Sequence, residues 1–194
     1  MRASGKIRTN YPEFDKNETL AELVGVVLGD GHIRKFPRTE ELSIFSNSNN
    51  PGFIKRYAGI VEAMFNKKPA ITKHGNENCT RIRIYQKNIS SRLGIPFSPR
   101  KPLKLKIPPW ILNNDKNVVG YLRGLYEAEG SHCIHEPTYT YKVFFTNRNE
   151  SLIKIVFRLV ERLDFHPHVS GDEVQLSKKE EVFRFLDLIQ FRKY

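Results

Sequence analysis

Residues 122–130 read LRGLYEAEG, and residues 23–31 read LVGVVLGDG. In both stretches an apolar run with helical spacing leads through a small residue to an acid and a glycine, which ends the helix. The two acids, Asp30 and Glu129, are 99 positions apart. This duplication predicts an internal repeat that brings two carboxylates together near an approximate twofold axis, where they can hold a divalent cation.

A second pair of segments repeats at almost the same distance. Residues 45–49 read FSNSN and residues 145–149 read FTNRN, at a distance of 100 positions. Two independent matches at nearly one distance predict that the whole chain is duplicated. The repeated unit is a helix, two strands, a second helix and two further strands, followed by a helix or a connector.

The periodicity of apolar residues gives approximate bounds for these elements. In the first repeat we expect a helix over 19–29, strands over 32–36 and 41–47, a helix over 53–65, and strands over 70–73 and 80–85. In the second repeat we expect a helix over 118–128, strands over 131–136 and 139–147, a helix over 151–163, strands over 165–170 and 173–177, and a helix over 181–191. The repeats are predicted to occupy residues 1–97 and 117–194.

Prolines and basic residues alternate between the two repeats. This composition predicts a connector over residues 98–116 that has little regular structure. Trp110 is expected to anchor it against one of the repeats.

Charge and composition narrow the class of partner. The 194 residues carry a formal net charge of +11, with an isoelectric point near 9.7. A basic domain of this size typically binds nucleic acid, and the spread of the charges along the chain argues against a membrane surface. No apolar run is long enough to cross a bilayer, and the basic start lacks the apolar segment of a secretory signal. Two cysteines form no disulfide framework, so we expect an intracellular compartment such as the cytoplasm, the nucleoid or an organelle matrix.

The two motif copies, set in this repeat, resemble the signature of the LAGLIDADG homing endonucleases of the single-chain, two-repeat type. The resemblance implies an α+β fold of two pseudo-symmetric αββαββα repeats, with two antiparallel sheets forming a saddle over a central two-helix interface. It implies a monomer that straddles double-stranded DNA and hydrolyses both strands of a long intron-insertion target, leaving 3′ overhangs. The implied cofactor is Mg²⁺, or another divalent cation such as Mn²⁺ or Ca²⁺. An RNA maturase that binds intron RNA, or a DNA-binding protein that does not cleave, is the alternative on the same fold.

The resemblance also assigns the metal centre. Asp30 and Glu129 would bind the cation together with nearby carbonyl groups, for which Gly29 and Ala128 are the candidates. A bound divalent cation suits phosphodiester hydrolysis because it activates water and stabilises the leaving oxygen. An acid followed by glycine is also an ordinary helix end, but its duplication favours the metal site. Glu127 is a less favoured ligand, since its counterpart in the first motif is Leu28.

Further catalytic candidates follow the strands of each repeat. Asn47 and Asn147 could order the attacking water, or they could cap the helices that come next. Lys178, with Lys87 in the first repeat, could stabilise charge on the scissile phosphate or could be a solvated surface lysine. His32 and His132 follow the motif glycines and could contact phosphate.

Strand alternation predicts a DNA-binding face. If Ile82 and Ile84 point to the core, their neighbours on the strand point to the DNA groove, where arginine suits guanine or phosphate. Basic residues of the connector would bind phosphate without reading sequence. Each of these side chains could instead belong to a solvated surface. The candidates are Arg34, Ser43, Arg81, Arg83, Tyr85, Lys101, Lys104, Gln175 and Ser177.

The chain ends bear on a third possibility, an endonuclease embedded in an intein. Splicing requires Cys or Ser at the first position and a terminal His-Asn, whereas this sequence has Met1 and Tyr194 there. We therefore expect a free-standing chain.

Overall fold

The computed structural model describes residues 11–75 and 78–194, and it shows the same order of elements twice. The first half contains α1 (Glu18–Asp30), β1 (Gly31–Lys35), β2 (Glu40–Asn47), α2 (Pro51–Phe65), β3 (Ala70–Lys73), β4 (Cys79–Gln86) and α3 (Ile89–Leu93). The second contains α4 (Asp115–Glu129), β5 (Gly130–His135), β6 (Thr140–Thr146), α5 (Glu150–Arg162), β7 (His168–Ser170), β8 (Glu173–Leu176) and α6 (Lys179–Leu188). The predicted fold of two αββαββα repeats is confirmed.

Helix starts account for some of the differences from the predicted bounds. The Asn17 side chain accepts a hydrogen bond from the Leu20 amide at 2.9 Å, and the Asn114 side chain accepts one from the Lys116 amide at 2.8 Å. These caps satisfy amides of the first turn, so α1 and α4 begin before their apolar runs do. The short helix α3 was not predicted, because five residues are too few to show a helical period.

Each half forms a four-stranded antiparallel sheet. The strand orders are β1-β2-β4-β3 and β5-β6-β8-β7. In the first sheet Ile33, Leu42 and Ile84 lie in register and are buried against the helices. Because side chains alternate along a strand, the intervening residues form a second face that points away from the core. We call this side of each sheet its open face.

The two motif helices, α1 and α4, pack with their backbones in contact. A Cβ atom placed on Gly124 would lie 2.0 Å from the carbonyl oxygen of Glu22, and one on Gly25 would lie 2.3 Å from that of Tyr121. Both distances are far below van der Waals contact, so only glycine permits this approach. The predicted central two-helix interface is therefore confirmed, and glycines set its spacing.

A buried ion network crosses the same interface. Glu22 on α1 accepts hydrogen bonds from Arg56 Nε at 2.6 Å and from Arg123 Nη1 at 3.3 Å. Arg123 lies on α4, so the carboxylate joins the two halves. The Glu22 side chain is 3% exposed, and a buried charge of this kind must be paired to be tolerated.

The connector crosses from the first half to the second. Apart from a 3₁₀ turn at Pro109–Asn113, residues 94–114 contain no regular element. Trp110 is partly buried against the core, as expected, and its carbonyl accepts a hydrogen bond from the Asn117 side chain at 3.3 Å. Within the described ranges, no helix combines the length and the apolar character that crossing a bilayer demands.

We expect Gly124→Ala to lower the free energy of unfolding by about 3 kcal/mol, because the added methyl group forces the helices apart. Urea denaturation followed by circular dichroism measures the change. Gly59→Ala is the matched control, since Gly59 is exposed in α2 and has no atom within 4 Å of its added Cβ. That control should be neutral or stabilise by up to about 1 kcal/mol. Equal effects of the two changes would contradict the proposed packing.

Candidate metal centre and nucleic-acid interface

Asp30 and Glu129 are the last residues of α1 and α4, at the same end of the helix pair. The residues before them touch: a Cβ atom on Gly29 would lie 2.4 Å from the Ala128 Cβ and 3.0 Å from the Glu129 Cγ. The close approach of the helices thus continues to their ends. It brings the two predicted acids and the two predicted carbonyl donors into one place.

The acid pair is electrostatically unfavourable in the protein alone. Burial and the negative charge of Glu129 raise the pKa of Asp30 to about 7. Burial also raises the pKa of Glu129, against the opposing effect of its hydrogen bond to Asn147. Both carboxylates face the negative ends of helix dipoles. No ion pair reaches either acid within the described part of the chain.

These donors fit a hard divalent cation. Two carboxylates without a cationic partner provide oxygen ligands, and a cation between them would remove their repulsion. Residues 11–75 and 78–194 contain no cluster of three or more His, Cys, Asp or Glu side chains arranged to hold a metal. Any further ligands would therefore be amide, hydroxyl or backbone carbonyl oxygens, water or substrate.

Asn147 contacts the acid pair, whereas Asn47 does not. The Asn147 side chain donates from Nδ2 to Glu129 Oε1 at 3.3 Å and accepts from the Asn149 amide at 2.9 Å. The Asn47 side chain makes the equivalent turn with the Asn49 amide at 2.9 Å, and its described contacts include no bond to Asp30. The turns lead into α2 and α5, whose caps are Asn50 and Asn149.

Two arginines that sequence reasoning missed hold the ends of the motif helices. Arg100 in the connector donates from Nη2 to the carbonyls of Val27 at 2.8 Å and Gly31 at 2.6 Å. Arg192, near the end of the chain, donates to the Gly130 carbonyl at 3.3 Å. Cations stabilise carbonyl groups at helix C-termini. Nothing in the sequence distinguishes Arg100 from its basic neighbours.

An open cavity of about 720 Å³ lies beside the acids. Its wall includes Gly29, Glu129 and Asn147 together with a set of basic residues. Lys101 is one of these, as its predicted phosphate contact requires, while Lys104 is exposed at a different cavity. The cavity can therefore accept an anion next to the acids. The basic residues that line it are His32, Arg100, Lys101 and Arg148.

The structure does not bring Lys178 to the acid pair. Strand β8 starts near the acids, where Glu173 pairs with Thr146, and runs away from them. Lys178 follows its far end, with Nζ 3.4 Å from Glu181 Oε1. Lys87 occupies the equivalent far end of the first sheet, after β4. The catalytic role predicted for these lysines is therefore corrected: they are too distant along their strands.

His32 and His132 occupy different surroundings. His32 pairs with Ser43 and lines the cavity beside the acids. His132 lies in register with Val143, on the face that points away from the open face, and its ring centroid is 5.7 Å from that of Phe191. Because one residue more separates His132 from its motif glycine, strand alternation places it on the opposite side.

Glu127 lies apart from the acid pair and is buried rather than on the surface. Its carboxylate accepts hydrogen bonds from the Arg192 amide at 2.5 Å and from the Tyr194 hydroxyl. The Tyr194 ring lies against Gly52, where an added Cβ would be 2.4 Å from a ring carbon. Hydrogen bonds to Glu127 thus hold Arg192 and Tyr194 against the second half, while the Tyr194 ring contacts Gly52 of the first half.

The open face of the first sheet carries the predicted basic residues. Ile82 and Ile84 are buried, and Arg81, Arg83 and Tyr85 alternate with them on the open face. Arg34 shares that face, since it is in register with Glu41 and Tyr85. Its side chain is exposed.

Ser43 and Gln175 need a correction. Ser43 lies on the open face but is 1% exposed, and its hydroxyl donates to Glu41 Oε1 at 3.0 Å. Its neighbours cover it, so a direct contact with DNA is not available to it. Gln175 is also largely buried and donates from Nε2 to Glu173 Oε2 at 2.6 Å, whereas Ser177 is exposed beyond the end of β8.

Sequence comparisons match parts of longer proteins. A model described as a LAGLIDADG-like domain matches residues 116–190. Glutamine–fructose-6-phosphate aminotransferase [isomerizing] of Methanocaldococcus jannaschii is 31% identical over 128 residues, which are 63% of this chain and 11% of that protein. Probable cell division protein WhiA of Streptococcus agalactiae is 23% identical over 185 residues, which are 90% of this chain and 60% of WhiA. The chain thus spans only about a tenth and three fifths of these curated relatives.

Structure comparisons match the whole two-repeat fold. A structure of I-DmoI in complex with DNA and Mn has a TM-score of 0.61 at 19% identity, covering 90% of this chain and 97% of that chain. The N-terminal LAGLIDADG domain of DUF199/WhiA has a TM-score of 0.62 at 16% identity, covering 93% and 86%. Intron RNA has no support in these comparisons. The duplicated motif, the fold and the match over residues 116–190 agree: this chain resembles the LAGLIDADG proteins and has their two-repeat fold in a single chain.

Proposed function

We propose that this protein is a site-specific, metal-dependent endonuclease that cleaves both strands of double-stranded DNA. The observation that carries the proposal is the pair of half-buried carboxylates without a cationic partner, Asp30 and Glu129, held together at the ends of two glycine-packed helices. An arrangement that costs stability in the protein alone is expected where a function requires it. The similarity to I-DmoI, which has been solved with DNA and with Mn or Ca, supports the same conclusion.

The chain's own residues would prepare the site for hydrolysis. Asp30 and Glu129 would hold Mg²⁺, or Mn²⁺ or Ca²⁺ in its place, with the carbonyls of Gly29 and Ala128 as further candidates. When bound, the cation would supply Lewis-acid stabilisation of the phosphate and of the leaving oxygen. Asn147 would fix the orientation of the Glu129 carboxylate through its hydrogen bond.

The basic wall of the cavity would place the DNA backbone. Lys101 and Arg148 would contact phosphates next to the acids, while Arg100 is occupied by carbonyl groups and would act by holding the end of α1. The open faces of the sheets would contact the bases. Because both repeats lie in one chain, we propose that a monomer suffices, and that it cuts an intron-insertion target with 3′ overhangs.

A DNA-binding protein that does not cleave is the second candidate. The similarity to WhiA, named a probable cell division protein, favours it. The presence of an acid at both motif ends favours the nuclease. Binding to duplexes without any nicking in the presence of Mg²⁺ or Mn²⁺ would decide for the second candidate.

The acid pair can be tested by removing one charge at a time. Asp30→Asn and Glu129→Gln should each lower the cleavage rate at least about 100-fold, because each loses metal-dependent stabilisation worth several kcal/mol. Cleavage is measured on duplexes selected from a randomised library in Mg²⁺. Glu161→Gln removes an exposed carboxylate from α5 and should cleave like the wild type. Full activity in both acid variants would exclude the proposed metal centre.

The same variants should gain stability when no metal is bound. The pKa of Asp30 lies near 7 in the folded protein and near 3.8 in the unfolded chain, so the folded state binds its proton more tightly. The wild-type free energy of unfolding should therefore fall as the pH rises from about 4 to 7, by roughly 3 kcal/mol. Asp30→Asn should lack this fall and should be the more stable protein at pH 8, as measured by urea denaturation in EDTA. Parallel pH profiles for the two proteins would count against the raised pKa of Asp30, to which burial contributes most and the charge of Glu129 less.

Asn147 and Asn47 provide a matched pair of variants, because only Asn147 forms a hydrogen bond with a motif acid. Asn147→Ala loses both the turn and the bond to Glu129, and it should slow cleavage about 10–100-fold. Asn47→Ala loses only the equivalent turn and should be affected much less. Single-turnover rates at saturating enzyme separate this effect from DNA binding. Equal losses would show that the turn, and not the contact with Glu129, is what matters.

A further inference from the structure

The open faces of the two sheets differ in charge. The first carries three arginines, Arg34, Arg81 and Arg83, against one carboxylate, Glu41. The second carries one lysine, Lys142, against one carboxylate, Glu173. The repeats share a fold, but the surfaces that they present are electrostatically unequal.

The arginines of the first sheet retain unused hydrogen-bond donors. None of the three has a carboxylate oxygen within 4.0 Å in the described part of the chain. The Nε atoms of Arg81 and Arg83 are buried without a partner, and the Arg83 guanidinium carbon lies 5.4 Å from the centroid of the Tyr85 ring. A guanidinium held in this way can donate two bonds to O6 and N7 of a guanine.

Glu41 lies buried on the open face, among these arginines, and positions them. It is 8% exposed and accepts hydrogen bonds from the hydroxyl groups of Ser43, at 3.0 Å, and Tyr85. Burial opposes its ionisation, but these bonds and the charges of Arg81 and Arg83 lower the pKa of its carboxyl group. Glu41 therefore stays ionised, and it attracts both arginines without forming an ion pair with either.

The second sheet uses its carboxylate differently. Glu173 Oε1 accepts from the Thr146 hydroxyl at 3.3 Å, and Oε2 accepts from Gln175 Nε2 at 2.6 Å. The groups that Glu173 orders are uncharged. They can form hydrogen bonds with base edges but attract phosphate only weakly.

We propose that the two sheets recognise DNA by different chemistry, with Glu41 as the residue that positions the arginines of the first sheet. The first sheet reads guanine in one half of the target through Arg81 and Arg83, which Glu41 positions, and the second sheet reads the other half through uncharged groups ordered by Glu173. The inference rests on the proposed binding of double-stranded DNA but not on cleavage. Binding should then differ between the two halves of the target, with most of the salt dependence in the half bound by the first sheet.

The test is a binding selection with the full chain in EDTA, using a pool of randomised duplexes as the probe. The wild type should enrich guanines in one half of the selected sequence. Arg83→Gln should lose that preference and lower the slope of log K against log salt by about 1. Thr146→Ala, the matched control, removes the half-buried hydroxyl that Glu173 orders; it should change the other half only and keep the salt slope.

Three outcomes would overturn the inference: no sequence preference in the wild type, an Arg83→Gln variant that behaves like it, or an effect spread over both halves. Since EDTA prevents metal-dependent cleavage, these outcomes are independent of the nuclease proposal. A protein that cleaves but selects symmetrically refutes only the division of recognition. A protein that selects as expected but never cleaves refutes only the nuclease.

Glu41→Gln tests the positioning role, and Glu41→Ala repeats the test with the side chain removed. Loss of the negative charge should leave the affinity for scrambled duplex equal or higher, while the affinity for the selected duplex falls. The ratio of the two affinities should drop at least about tenfold. A residue that only maintained the fold would lower both affinities together, and that result would exclude the role proposed for Glu41.

Discussion

The contact between the backbones of α1 and α4 is the constraint on which the rest of the molecule depends. Gly25 and Gly124 let carbonyl oxygens of one helix lie where the side chains of the other would be. The buried network of Glu22, Arg56 and Arg123 then holds the helices in one register. Since each helix leads directly into the first strand of its sheet, this contact also fixes the positions of both sheets.

The same contact explains why the acids are strained and why they are useful. Two helices that approach this closely must end close together, so their C-terminal dipoles and terminal carboxylates repel. Arg100 and Arg192 offset part of this by binding the carbonyls of Gly31 and Gly130, but they leave the carboxylates unpaired. The two arginine side chains thus stabilise the helix ends without neutralising the acids.

The sequence predicted the elements well and the side-chain environments less well. Apolar periodicity and the two motifs were enough for the fold, the strand pairs and the acid pair. The match between residues 45–49 and 145–149, however, does not follow the strand register: Phe45 lies on the open face, while Phe145 is buried and occupies the place of Ile44 opposite the motif glycine. A shift of one residue in the register moves a side chain to the opposite face of the sheet, and sequence similarity alone cannot reveal such a shift. Arg100 and the far position of Lys178 depend on tertiary contacts that no local pattern records.

The segment that joins the repeats has a consequence for their symmetry. Asn149 caps α5 with its side-chain oxygen, and with its amide nitrogen it holds the carbonyls of Arg100, Lys101 and Leu103. The connector therefore forms part of the wall of the cavity beside Glu129. Within the described ranges, Asn49 and Asn50 form no equivalent hydrogen bonds to a connecting segment in the first half. The duplication is thus inherently unequal at its centre, and the two acids, alike in sequence, belong to a site with a left and a right side.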